Sequence, residues 1–253
     1  MPPEILPIDH ASPALQAYFS YRRLMESTES ANVAGEGLGG KLLYVGELNE
    51  QGCADVIAGN VAGCATLATS ADPQVQKQAV RDGVVDFLVA SLDEALRILK
   101  NEIRKHSTVA VCVALPKDSI EGEMQERGVA PDIFGSKLLR ERHEAIASGV
   151  VVAWSVHFLP AKWLPVLDRI ALDCLRLEDI HNRRWIQRSP RYLGRLAGNM
   201  GTVCSDREFV SGFIEQVRSA FDSGGITAAA TVWVTTEAGS EEFRFQPGQQ
   251  PAS

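Results

Sequence analysis

The stretch "GEGLGG" at 35–40 fits the dinucleotide fingerprint G-x-G-x-x-G through Gly35, Gly37 and Gly40. Such glycines cradle a pyrophosphate only when they follow a strand and open a helix, where backbone N–H groups are free. Here they follow the polar run "ESTESAN" and precede "KLLYV", which reads as the first strand. They therefore read as a flexible approach to that strand, and the loop after Val45 is the better place to look for a ligand. His157 precedes "FLPAKW" near a predicted strand end, where Rossmann-type sheets place ligands. It could act as an acid or base, or it could be held by a loop carbonyl; no partner that would tune it is visible. His106 and His143 follow or sit on predicted helices and read as solvated.

The segment "HNRRWIQRSPRYLGR" (181–195) concentrates Arg183, Arg184, Arg188, Arg191 and Arg195, with Trp185 and Tyr192 between them. Guanidinium pairs bidentately with carboxylate and phosphate, so Arg183, Arg184 and Arg188 are candidates for anion binding. The same residues could be solvated arginines on a helix pair, or a dimer contact. The five cysteines form no C-x-x-C and are odd in number, which points to reduced thiols in a cytoplasmic protein and to no zinc site. No metal-ligand spacing, G-x-S-x-G or P-loop is present.

Elements that would position these residues are legible. "KLLYV" (41–45), "ATLAT" (65–69), "VVDFLVA" (84–90), "TVAVCVAL" (108–115), "PDIF" (131–134) and "VVVAWSV" (150–156) read as strands. Helices are expected at 50–63, 72–83, 91–106, 118–127 and 137–148. Asp72 and Pro73 make a helix start, and Ser91 with Glu94 makes a capping box. The unbroken apolar run at 108–115 suits a strand buried on both faces of a parallel sheet. The alternation predicts an α/β, Rossmann-like three-layer sandwich with a parallel sheet through 41–156. C-terminal helices fill most of 161–222, and a short β-hairpin turns around "EAGS". The expected division is an N-terminal extension (1–40), a Rossmann-type domain (41–157), a helical segment packed on it (158–226), and a hairpin with a disordered tail (227–253).

Composition sets limits. Hydrophobic residues are 45% and charged residues 23%, ordinary for a globule. The net charge of −7 argues against a general nucleic-acid binder. No apolar run reaches membrane-spanning length, and the proline-rich, acidic start "MPPEILPIDHASP" is not a secretory signal.

Three stretches in this order resemble urocanase (urocanate hydratase). They are "KLLYVGELNEQGCADVIAGNVAGCATLATSADP" (41–73), "SLDEALRILKNEIRK" with "RGVAPDIF", and "FLPAKW" (158–163); "SPRYLGRLAGNM" (189–200) echoes a further family helix. The resemblance covers about residues 41–200 and implies the family's NAD-binding Rossmann-type domain, without most of its outer domain. It further implies tightly bound NAD⁺ used as an electrophile in adding water to urocanate, and a homodimer.

The departures fall where that chemistry would be. With Gly46 and Gly52 aligned on the family's phosphate loop, its middle glycines become Leu48 and Asn49, and Glu47 and Glu50 add negative charge. The ribose-holding acid aligns with Ser70, which cannot chelate two hydroxyls; Asp72, two positions on, is more simply a helix cap. An altered site would thus lie at Gly46, Asn49, Gly52 and Ser70, near Ala90. NAD is the family cofactor, but these changes predict no full-strength NAD binding. The family's site segment between "PDI" and "FLPAKW" has no counterpart in "FGSKLLRERHEAIASGVVVAWSVH". The reading is a urocanase-like Rossmann domain protein that has lost hydratase activity and binds a nucleotide, a small metabolite or a protein partner as a cytoplasmic homodimer. The alternatives are an NAD-dependent lyase of the urocanase type, or a structural homodimer without a ligand.

Overall fold

A computed structural model describes residues 12–28, 37–135, 149–197 and 200–248. Gly35, the expected helix at 137–148 with His143, and the tail from 249 lie outside the described residues. The chain divides into two compact units. One comprises Gln16–Ala145 and Arg188–Leu196; the other comprises Met1–Leu15, Ile146–Gln187 and Ala197–Ser253.

In the first unit the strands are β1 (Leu42–Glu47), β2 (Ala65–Thr69), β3 (Phe87–Val89), β4 (Val109–Val113) and β5 (Ile133–Phe134). They form one sheet in the order β3-β4-β2-β1-β5, parallel throughout. Between them run helices α2 (Glu50–Ala62), α3 (Pro73–Arg81), α4 (Leu92–Arg104) and α5 (Lys117–Glu126). This is the α/β Rossmann-like architecture expected from the strand–helix alternation.

Strand alternation builds the layers. Leu42 and Tyr44 of β1 join Leu67, Val109, Val111 and Val113 in a core shared with Leu92, Ala95 and Leu99 of α4 and Ile120 and Met124 of α5. Leu43 points the other way, where a Cβ on Gly59 of α2 would come 2.6 Å from its Cδ2. Ser91 caps α4 by accepting from Glu94 N at 3.3 Å, and the Glu94 carboxylate reaches back to Ala90 N at 3.0 Å. Asp72 accepts from Gln74 N at 2.7 Å, with Pro73 in the first turn of α3.

A helix absent from the sequence reading, α1 (Pro13–Ser27), lies within the expected N-terminal extension. Its Tyr18, Tyr21, Leu24 and Met25 are buried, and Ser20 accepts a hydrogen bond from Gln51 of α2 at 2.9 Å.

The strand at Val150–Val156, β6, is buried along its whole length as expected, but it does not extend the parallel sheet. It lies inside a four-stranded antiparallel sheet of order β7-β6-β8-β9, with β7 (Met200–Ser205), β8 (Ala230–Thr236) and β9 (Gly239–Phe245). A strand covered on both faces reads as a continuous apolar run whatever the direction of its neighbours. β8 and β9 form the expected hairpin, whereas β7 falls inside the stretch read as mostly helical.

Helices α6 (Pro160–Cys174) and α8 (Arg207–Asp222) pack on β6 and on each other, and α7 spans Ile180–Ala197. Trp154 of β6 lies 5.0 Å from Phe213 of α8, centroid to centroid. Its β7 partner is Gly201, whose absent side chain leaves room for the indole.

Candidate functional site

In an open parallel sheet, ligands bind beyond the carboxyl ends of the strands, where successive connections leave in opposite directions. β1 is that place here. β2 flanks it on one side and β5, reached from β4, on the other. The turn from β1 into α2 therefore occupies the position a phosphate loop would take.

The glycines of a Rossmann phosphate loop do three jobs: one makes the tight turn, one lets backbone approach the pyrophosphate, and one lets the helix pack closely on the strand. Gly46 stands nearest to the first, bending the end of β1 just before the turn. Its φ is +78°, and the ladder to β2 slips between Tyr44 and Gly46. The stem of Lys117 lies across it, 3.4 Å from where a Cβ would be. Gly52 does the third, since a Cβ there would fall 2.1 Å from the Glu47 carbonyl oxygen.

The second job is done by no glycine. Leu48 is buried, with its N–H donated to the Thr69 carbonyl at 2.8 Å. Asn49 is the N-cap of α2, and its side-chain oxygen accepts from Gly52 N at 2.9 Å. A first-turn N–H that would face a phosphate is thus taken by a side chain of the protein itself. Asn49→Ala should cost about 0.5–2 kcal/mol of stability, and Asn49→Gly only a few tenths; thermal melts of the two variants check this.

Ser70, at the end of β2, is fully buried. Its N–H donates to the Val113 carbonyl, its hydroxyl accepts from Asp72 N at 3.3 Å, and its carbonyl accepts from Gln76 Nε2 at 2.7 Å. Gly46, Asn49 and Gly52 thus share the β1–α2 turn, while Ser70 is committed to the start of α3. Beneath the turn, the Tyr44 hydroxyl is buried without a well-formed hydrogen bond. Burial first, then the Glu121 carboxylate, raises its pKa. Burial also pushes the Cys112 thiol up to about 12, helped by Glu47, and the Cys53 thiol up to about 11. Both remain protonated thiols and poor nucleophiles at neutral pH.

The other residues of chemical interest have separate settings. Gly37 and Gly40 both have positive φ and precede β1. His106 packs on this segment, with Nδ1 3.1 Å from the Gly39 carbonyl oxygen. His157 Nε2 lies 2.8 Å from Thr231 Oγ1 of β8.

Arg183 and Arg188 of α7 are bonded to different partners. Arg183 Nη1 donates to the Leu172 and Leu175 carbonyls at the end of α6, Arg184 is half-buried and engaged, and Arg188 Nη2 donates to Thr108 Oγ1 at 3.2 Å. Trp185 and Tyr192 are buried in packing and offer no open face for stacking a base. Among the described residues no cluster of three or more His, Cys, Asp or Glu is placed to hold a metal, and no helix is long and apolar enough to cross a membrane.

Sheet topology, turn position and the two working glycines all describe one kind of domain. Residues 20–138 match the urocanase Rossmann-like domain. The match takes in most of α1 and runs past β5, so it covers the whole parallel sheet. The urocanase resemblance read from the sequence is thus shown over that segment. The match begins before the resemblance does, at residue 20, and brings in the helix that the sequence reading missed.

The cap role of Asn49 was also missed. Its signal was present: an asparagine directly before a helix that opens on Glu50.

Proposed function

We propose that this protein is a binding protein, built on a urocanase Rossmann-like domain and without urocanate hydratase activity, that works as a cytoplasmic homodimer. The observation that carries the proposal is the β1–α2 turn. The glycines for the turn and for helix packing are retained, while the position where backbone would meet a pyrophosphate holds a buried leucine and a capping asparagine. These residues do not fit an NAD pyrophosphate bound in the Rossmann manner. Ser70, buried and bonded on three sides, does not replace a ribose-binding carboxylate. Glu47 and Glu50 add like charge beside the phosphate position.

The alternative, an NAD-dependent lyase of the urocanase type, draws its support from the family match over residues 20–138. Titration calorimetry separates the two. The purified protein should carry no NAD by absorbance or fluorescence, and NAD⁺ should give no binding tighter than about 100 μM, weaker than roughly −5.5 kcal/mol. Micromolar or tighter binding that strengthens in Asn49→Gly, which frees the Gly52 N–H, would restore the enzyme reading. For the homodimer, sedimentation should show a dimer at micromolar concentration; a monomer there removes that part of the proposal.

A further inference from the structure

The first unit has an open cleft of about 970 Å³ along the α4 side of β3 and β4, at the end of the sheet away from the β1–α2 turn. Its apolar floor is Phe87, Ile98 and Val109, and Phe87 is 48% exposed. Arg97, Asn101 and Arg104 project from one face of α4 at i, i+4, i+7 spacing. Arg188 reaches the Thr108 wall. A neighbouring cleft of about 510 Å³ shares Arg97 and adds Lys100.

The charges here are unevenly spent. Every acidic side chain on these walls has a local partner: Asp86 accepts from Ala110 N, Glu102 from Lys105 and Asn101, and Asp93 pairs with Arg127. Arg97 and Lys100 are exposed and make no hydrogen bond or ion pair among the described residues, acting only through space on Asp93, whose pKa they help Arg127 to lower, and Arg104 makes one long bond, 3.4 Å, to Asn101.

We propose that this cleft binds a small phosphorylated polyanion. Arg97 and Arg104 grip the phosphates, and Asn101 donates between them. Two guanidinium groups seven residues apart on a helix stand about 10 Å apart along its axis, too far for one phosphate and suited to a ligand with several anionic groups in a row. Arginine presents paired N–H donors that match phosphate oxygens two at a time. A volume of this size is usual for a ligand of metabolite size, and six of the nine lining residues are polar or charged, as a site for a charged ligand requires. The carbonyl end of α4 opposes an anion, but that effect is confined to the last turn, and Arg97 lies beyond it. The inference goes beyond the function proposed above and uses none of the residues at the β1–α2 turn.

The test is calorimetric titration with inorganic tripolyphosphate of the full chain, the double variant Arg97→Ala/Arg104→Ala, and Arg97→Lys/Arg104→Lys. Wild type should bind in the micromolar range, the alanine pair at least tenfold more weakly, and the lysine pair in between. Both arginines are exposed, so all three proteins should melt alike and a loss of binding would not be a loss of fold. Citrate should bind more weakly than tripolyphosphate. No binding by wild type below millimolar concentration, or equal binding by the alanine pair, would overturn the site. Tighter binding of citrate or of an oligoglutamate peptide would overturn the phosphorylated class. The NAD⁺ result depends on Asn49 and Leu48, so either proposal can fail while the other stands.

Discussion

Gly52→Ala is expected to destabilise the Rossmann-like unit by at least about 3 kcal/mol, the upper end of overpacking penalties. The added methyl would sit 2.1 Å from the Glu47 carbonyl oxygen, a backbone atom at the end of β1 that no rotamer change can move. Relief requires lifting the first turn of α2 off the strand. That would pull the Asn49 cap from Gly52 N and disturb Ala54, Val56 and Ile57 behind it.

Gly59→Ala should cost less. Its methyl meets Leu43 Cδ2 at 2.6 Å and Thr66 Oγ1 at 2.7 Å, both side-chain atoms that can rotate. Gly122→Ala should stabilise by up to about 1 kcal/mol, because it adds a better helix former where nothing lies within 4 Å. Chemical denaturation of the three variants checks the order. A Gly52→Ala protein as stable as wild type would mean that the α2–β1 contact is looser than described, and would weaken the argument that this turn has kept its packing glycine.

That glycine shows where the sequence was readable. The turn was located from the strand–helix order alone, and Gly46 and Gly52 were picked out because a family pattern runs through them. The caps of α3 and α4 were legible for a local reason, whereas the Asn49 cap of α2 was missed. Asp72 and Ser91 act on N–H groups two or three residues away, so no tertiary knowledge is needed. Direction and partnership were not legible. Val150–Val156 has the same apolar run as Val109–Val113, yet one is antiparallel to both its neighbours and the other parallel to both. β7 escaped because Gly201, a poor strand residue, is there to make room for Trp154, a contact between strands far apart in the chain. The arginines of 183–195 looked like one cluster on paper. The partners, Leu172 and Leu175 for Arg183 and Thr108 for Arg188, show that these two serve different neighbours. The α4 stripe is not legible as a site, because each of its arginines taken alone is an ordinary exposed charge on a well-patterned helix.

In the second unit, wild-type stability should fall as pH rises from about 4 to 7, and Asp168→Asn should remove most of that fall. Asp168 of α6 accepts a hydrogen bond from Trp154 Nε1 at 2.8 Å. Burial pushes its carboxyl up to about 7 from 3.8, and the indole hydrogen bond offsets only part of that shift. Between those two values the folded chain holds a proton that the unfolded chain has already released. Protonated Asp168 therefore contributes stability that is fully present below about pH 4 and is lost as the pH passes 7. The full shift corresponds to about 4 kcal/mol at 1.36 kcal/mol per unit; because the side chain keeps some contact with water, the expected loss is about 2–3 kcal/mol. Asparagine keeps the acceptor for Trp154 and cannot ionise, so Asp168→Asn should be more stable than wild type at pH 8 and about equal at pH 4. Urea unfolding followed by tryptophan fluorescence across that range measures the difference directly. Two curves that stay parallel from pH 4 to 8 would show that Asp168 titrates in the fold as it does in the unfolded chain, and would remove burial as the force acting on it.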